Sequence, residues 1–310
     1  MTLEMAIIKM IRPLNLVIIV MTSILIGAVL DTFIESELDW TKLLTYAFCL
    51  ALIAAGGNVL NDIQDIETDK VNEKGRNQVG NLIPGFLAWT LYATLTFMGL
   101  FIAWMFNEGI DNCFILLSVA TGLLLLYSLI LQRHLIFGNL VVAILCSFPI
   151  ILCGFVFLPK VFSSIYLSSL PTDLSTLTTP VIIVISYSLL AFVLTYMREV
   201  IKDIEDIEGD KESSYNTLPI ALGISRTKNV VTLIGLSVLI LEAYVIAELH
   251  SSQGNWSQSI YLGVLTLLPL AYITKQIAHI ESPKDAEPIS FYLKIGMLLG
   301  LSTCLFFAFL

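Results

Sequence analysis

Six aspartates recur in two blocks of one pattern. Asp62-Ile-Gln-Asp65-Ile-Glu-Thr-Asp69 and Asp203-Ile-Glu-Asp206-Ile-Glu-Gly-Asp210 both read DxxDxxxD, agree at six of eight positions and stand 141 residues apart. On a helix advancing about 100° per residue, Asn61, Asp62, Asp65 and Asp69 fall within an arc of about 100°. Asp203, Asp206 and Asp210 repeat the arrangement, while Ile63, Ile66, Ile204 and Ile207 face elsewhere and can pack. Carboxylates this close repel and raise each other's pKa, and a bound hard cation relieves them. Oxygen donors without Cys or His favour Mg2+. Mg2+ typically takes one or two carboxylates together with substrate phosphates. Two opposed blocks therefore imply two Mg2+ ions clamping one diphosphate. Lys70, Lys74 and Arg76 follow the first block, Arg198, Lys202 and Lys211 surround the second, and Arg12 lies upstream. These cations suit the phosphate charge that the metals leave uncompensated.

The elements that must position these residues are membrane helices. The chain has 310 residues, 57% hydrophobic and 13% charged, against about 25% charged in a soluble domain. A helix needs about 20 apolar residues to cross the hydrocarbon. Nine runs qualify: 13–32, 42–61, 82–106, 113–131, 135–158, 180–201, 229–249, 259–275 and 289–310. The expectation is an all-α, polytopic membrane protein of about nine transmembrane helices. It forms one domain, 1–310, with pseudo-repeat halves of roughly 1–150 and 151–310. Pro84 suits the first turn of the third span. Pro149 is expected to kink the fifth, and Gly56-Gly57 to bend the second. The runs are continuous, which excludes the alternating segments of a β-barrel.

Charge is local. Net charge is −9, yet 12 of the 25 acidic residues lie in 61–73 and 199–212, so the acidity belongs to a site. Cys49, Cys113, Cys146, Cys153 and Cys304 are scattered and read as small buried hydrophobes. His134, His250 and His279 carry no assigned chemistry. No cleavable signal is evident, and Lys9 and Arg12 precede what reads as the first membrane helix.

Nine spans place the termini on opposite faces. With the N-terminus cytoplasmic, 14 basic residues fall inside and two, Lys42 and Lys160, outside. The positive-inside rule fixes this orientation, and if the chain is prokaryotic the membrane is the plasma (inner) membrane. Both aspartate blocks then lie on the cytoplasmic face, where they can meet. A charge run after a membrane helix is usually a solvated loop; two matching blocks on one face argue for a site. Neither block has the order of a calcium-binding EF-hand loop, and no P-loop, GxSxG or HExxH pattern occurs.

These blocks resemble the two motifs of the UbiA superfamily of intramembrane prenyltransferases. Arg12-Pro13-Leu14-Asn15 looks like that family's RPxN opening, and the stretch from Asn61 to Asn72 like its first motif. Tyr127-Ser128, Arg133 and Gly138-Asn139 look like its segment between spans four and five. The stretch from Arg198 to Asp210, followed by Thr217-Leu218-Pro219-Ile220, resembles the branch that makes archaeal-type ether lipids, the geranylgeranylglycerol-phosphate geranylgeranyltransferases. Homogentisate phytyltransferases share a similar KDIxDxEGD stretch, which keeps an aromatic, quinone-type acceptor as the alternative.

The resemblance implies a helical bundle around a central cavity open sideways to lipid, with all six aspartates catalytic. It implies Asn61, Asp65, Asp206 and Asp210 as Mg2+ ligands, supported by Asp62, Asp69 and Asp203. It puts Arg12, Asn15, Lys70, Arg76, Arg198 and Lys202 on the diphosphate side. Tyr127 and Tyr196 are candidates to face a carbocation, and Glu199 is the candidate base. The expected partners are a prenyl diphosphate, a hydrophobic acceptor and membrane lipid; nucleic acid is not expected. The family's two prolines after the first motif are absent from Asn72-Glu73-Lys74-Gly75-Arg76-Asn77, as is a glycine before TLPI. Those departures bear on the capping loops and substrate preference, not on the metal site. An ion-coupled transporter is the rival of another class. Against it, the acids stand at helix ends rather than at mid-span, with only Glu242 and Glu248 inside a later run. A CDP-alcohol transferase would need a DGxxAR element that the chain lacks.

Overall fold

The computed structural model describes residues 2–33, 38–66, 69, 77–107, 109–167, 175–253 and 256–309. Among them, nine helical segments are long and apolar enough to cross a membrane: Leu3–Asp31, Trp40–Gln64, Gly85–Phe106, Asn112–Leu129, Phe137–Phe157, Thr179–Glu205, Ile224–Glu248, Trp256–Ala278 and Pro283–Ala308. These are the nine expected runs. Their ends agree within six residues, except that the first begins ten residues earlier. Hydropathy falls at the first charged residue, whereas backbone hydrogen bonding carries the helix on.

The first segment is two helices, α1 (Leu3–Ile11) and α2 (Pro13–Asp31), joined at Arg12 with φ 55° and ψ 62°. Pro13 at the first position of α2 disfavours helical backbone at the residue before it. Arg12 instead takes the left-handed region, at a cost of about 1–2 kcal/mol for a residue with a Cβ. The remaining helices are α3 (Trp40–Gln64), α4 (Gly85–Phe106), α5 (Asn112–Leu129), α6 (Phe137–Leu167), α7 (Ser175–Glu205), α8 (Ile207–Glu212), α9 (Leu218–Leu222), α10 (Ile224–Gln253), α11 (Trp256–Leu262), α12 (Leu268–Ala278) and α13 (Pro283–Phe309).

The chain forms two compact units. One comprises Met1–Gln132 and Ile144–Leu190; the other comprises Arg133–Ala143 and Ala191–Leu310.

In the first unit α3 is the central helix, packed by α1, α2, α4 and α5. It runs as one helix through the Gly56-Gly57 pair. The pair's role is close approach. A Cβ at Gly56 would lie 2.5 Å from Thr96 Oγ1, and one at Gly57 2.7 Å from a Leu124 methyl. Gly99 on α4 answers from the other side, where a Cβ would lie 2.9 Å from the Cys49 carbonyl oxygen. Small residues at such crossings let membrane helices pack by dispersion where no hydrophobic force separates protein from lipid. Pro84 caps α4 instead of entering its first turn. Pro149 lies within α6, and its carbonyl accepts a hydrogen bond from Ser23 Oγ at 3.4 Å.

In the second unit a buried cluster joins the end of α7 (Met197, Ile201, Ile204) to α10, α12 and α13 through Val231, Ile277 and Leu293. Between α11 and α12 the helix widens to a π turn, Gly263–Leu267. Pro269 supplies the cause: it has no N–H, and its ring crowds the carbonyl of Leu265 one turn earlier. Two short strands, β1 (His134–Leu135) and β2 (Asn216–Thr217), pair in parallel. They tie the α5–α6 connector to the segment after the second aspartate block.

Candidate active site

The first aspartate block ends α3. Asp62 is 4% exposed and forms an ion pair with Arg12 Nη2 at 2.9 Å. The left-handed turn at Arg12 thus ends in a charge contact, and α1 is tied down again where Asn58 Nδ2 donates to the Ile11 carbonyl at 3.1 Å. Asp65 receives two neutral amides: Asn61 Nδ2 at 2.5 Å on Oδ2, and Gln132 Nε2 on Oδ1. Asp69 Oδ2 accepts from Asn77 Nδ2 at 3.0 Å, and the same amide reaches the Asp62 carbonyl at 2.6 Å. Asn77 therefore staples the two ends of the block. Ile63 and Ile66 pack against a cluster containing Met10, Val59 and Ile83, which holds the carboxylate side of the turn away from it.

The second block ends α7. Asp203 Oδ2 accepts from Asn139 Nδ2 at 2.7 Å. Asp210 is 7% exposed, and its carbonyl accepts from the Tyr215 N–H at 2.8 Å. Ile204 and Ile207 are buried as expected. Arg198 pairs with its neighbour Glu199, which is 9% exposed. Tyr196 packs half-buried against the unit's core, beside that pair in sequence. Thr217 lies in β2, and Leu218 and Pro219 open α9 from buried positions, so the TLPI tail anchors the chain just beyond the block.

One expectation is corrected. The three carboxylates of a block do not stand on one unbroken helix. Asp65 (φ −90°, ψ 12°) ends α3, and Asp206 (φ −95°, ψ 8°) separates α7 from α8. Both middle aspartates take the sparsely allowed region where helices turn and where many active-site residues sit. The turn is slight, because Asp69 N still bonds Asp65 O at 2.9 Å and Asp210 N bonds Asp206 O at 3.0 Å. Asp is a poor interior helix residue, and like charges at these spacings repel, so the helix yields at the middle of the triad.

Tyr127 and Asn15 are half-buried in the first unit, and Lys202 is half-buried in the second. Lys70, Lys74 and Arg76 lie outside the described residues. Gln132 and Asn77 are not legible as site residues in the sequence, since a lone amide carries no spacing that announces a carboxylate partner. Asn139 stood in the Gly138-Asn139 pair, but with no role assigned.

The oxygen donors of each block suit a hard cation. Among the described residues, no three His, Cys, Asp or Glu side chains converge on one metal position. Mg2+ does not need them to, because it keeps waters and takes phosphate oxygens beside one or two carboxylates. Asn61, Asp65 and Asp69 in one unit, and Asp203, Asp206 and Asp210 in the other, supply oxygen donors of that kind.

The chain's relatives are consistent with such sites. Digeranylgeranylglyceryl phosphate synthase of Saccharolobus solfataricus is 31% identical over 278 residues, covering 89% of each chain. The synthase of the same name from Methanosphaera stadtmanae is 25% identical, covering 94% of this chain and 95% of that one. A structure solved for work on digeranylgeranylglyceryl phosphate synthase in membranes superposes with TM-score 0.64 at 24% identity, covering 99% of both chains. A UbiA homologue from Archaeoglobus fulgidus bound to DMAPP and Mg2+ superposes with TM-score 0.57 at 15% identity, covering 96% of this chain and 98% of that one. The family model for the UbiA prenyltransferases matches residues 20–300, which takes in both aspartate blocks and reaches into the first and last membrane helices. A match of that extent leaves only short terminal stretches outside it, and this multi-pass membrane protein belongs to the UbiA prenyltransferase family.

Proposed function

We propose that the protein transfers a geranylgeranyl group from its diphosphate to geranylgeranylglycerol phosphate, a step of ether-lipid synthesis, with two Mg2+ ions. The observation that carries the acceptor assignment is the 31% identity to the Saccharolobus solfataricus synthase, because it extends over 89% of both chains and not over the motifs alone. The Mg2+ and prenyl diphosphates bound by the Archaeoglobus fulgidus homologue support a metal-dependent diphosphate site.

In this reading Asn61, Asp65, Asp206 and Asp210 hold the metal, with Asp62, Asp69 and Asp203 supporting them. A half-turn of the Asn61 amide exchanges its donor for an acceptor oxygen. Bound Mg2+ would neutralise the charge that develops on the departing diphosphate. Arg12, Asn15, Lys70, Arg76, Arg198 and Lys202 would contact the diphosphate. The allylic C1–O bond loosens, the acceptor hydroxyl oxygen attacks C1, and diphosphate leaves. Glu199, oriented by Arg198, takes the hydroxyl proton. The rings of Tyr127 and Tyr196 offer π faces to the cationic carbon. Apolar helix walls keep water from intercepting it. Both motifs face the cytoplasm in this reading, and the two sequence halves descend from one repeated helical unit.

The test is a purified protein in lipid nanodiscs, given labelled geranylgeranyl diphosphate, Mg2+ and a panel of acceptors. Product is expected with geranylgeranylglycerol phosphate and no product in EDTA. Product with an aromatic acceptor alone overturns the assignment in favour of a quinone-type prenyltransferase.

A further inference from the structure

One short connector carries an amide donor to each aspartate block. Gln132 lies in the 3-10 turn Leu131–Arg133 that follows α5, and its Nε2 donates to Asp65 Oδ1. Seven residues on, Asn139 lies in the first turn of α6, and its Nδ2 donates to Asp203 Oδ2 at 2.7 Å. Between them, His134 and Leu135 pair with Asn216 and Thr217, just beyond the second block. The connector's backbone is therefore pinned within the second unit between its two amides.

The chemistry of the donors matters. An arginine beside a carboxylate cancels its charge and competes with a cation. A neutral amide fixes the carboxylate's orientation and leaves the charge in place. Gln132 and Asn139 do the second at one aspartate of each block. They address different positions, the middle aspartate of the first block and the first aspartate of the second, so the duplication of the aspartates does not by itself account for them.

We propose that the connector Leu131–Asn139 is a positioning element for the carboxylates of the metal site, with Gln132 orienting the ligand Asp65 and Asn139 orienting the supporting Asp203. The inference rests on the Mg2+ reading above. Partners that orient a metal ligand from behind typically contribute 10- to 100-fold in metal affinity or activity.

Two near-isosteric substitutions remove the donors while keeping volume, Gln132→Met and Asn139→Leu. The full-length protein in nanodiscs, saturated with the non-reacting analogue geranylgeranyl thiodiphosphate, is titrated with Mg2+ by calorimetry. The apparent Mg2+ dissociation constant is expected to rise about 10- to 100-fold in each variant. Unfolding temperature in EDTA is expected to match the wild type. In turnover assays, saturating Mg2+ restores the maximal rate, which a general packing defect would not allow. Wild-type Mg2+ affinity in both variants overturns the role of the connector and leaves the proposed function standing. A rate deficit that Mg2+ does not rescue overturns it as well. A wild-type protein that binds no Mg2+ beside the analogue overturns both readings together.

Discussion

The first block treats two neighbouring carboxylates in opposite ways. Asp62 is paired with the guanidinium of Arg12 at 2.9 Å, whereas Asp65 receives the amides of Asn61 and Gln132. The first contact offsets charge; the second leaves it in place, as the proposed metal role of Asp65 requires. The two aspartates should therefore fail differently when neutralised. Asp65→Asn is expected to lower prenyl transfer by at least 100-fold, while unfolding in EDTA shifts little. Asp62→Asn leaves Arg12 facing a neutral amide, and hydrogen bonds to charged groups contribute about 1.5–3 kcal/mol. Its main effect is expected in unfolding stability without metal. A variant pair with the two effects interchanged would refute this division of roles. At this scale the sequence was informative where spacing repeats. DxxDxxxD declares itself because six carboxylates in an apolar chain require an explanation. Gln132 and Asn77 do not, because amides are common and these two meet their partners only through the fold.

At the scale of elements, hydropathy located all nine segments found among the described residues, and its departures from their ends have physical causes. α1 was missed because Arg12-Pro13 reads as the opening of a membrane helix, while Leu3–Ile11 is too short to be counted as a span. Gly56-Gly57 reads as a bend because glycine weakens helices; that the pair also serves packing against Thr96 and Leu124 is a contact no single-chain pattern displays. At the other end of α3, Asp111 joins two helices. It caps α5 by accepting from the Phe114 N–H at 2.8 Å, and it meets Lys42 Nζ at 3.0 Å and the Tyr46 hydroxyl at 3.0 Å. Burial pushes the Asp111 carboxyl up, but the Phe114 N–H, the Lys42 ammonium and the Tyr46 hydroxyl outweigh it and hold it below the usual carboxylate value. A carboxyl held low in the folded state stabilises above its unfolded pKa, about 3.9, and loses that contribution as pH falls through the folded value. Asp111→Asn is therefore expected to unfold at a lower temperature than the wild type at pH 7, with the gap narrowing below about pH 4. A gap that stays constant from pH 7 to pH 3 would show that the charge of Asp111 contributes nothing.

For the whole molecule, the proposed orientation rests on counting charge and not on any contact. Fourteen of the 16 basic residues fall on one side when the nine spans are threaded with the N-terminus inside. The aspartate blocks end α3 and α7, the second and sixth spans; in the proposed threading four crossings separate them, which would bring both out on that same side. The metal reading depends on this parity, because one span more or fewer between the blocks would set them on opposite faces. Nine segments among the described residues meet the length and composition for crossing, which preserves the parity. In the same proposed threading, an odd number of spans would put the C-terminus outside. In a bacterial host, alkaline phosphatase fused after Leu310 is expected to be active and green fluorescent protein dark at the same position. Fusions in the loop after α3, at Gln78, should show the reverse. Single cysteines give an independent reading: with the native cysteines replaced, Gln78→Cys should resist a membrane-impermeant maleimide in intact cells, whereas Gly109→Cys should react. Labelling of Gln78→Cys from outside would invert the topology. Labelling of Gln78→Cys together with protection of a cysteine at Ser213 would place the two blocks on opposite faces and end the shared-diphosphate mechanism.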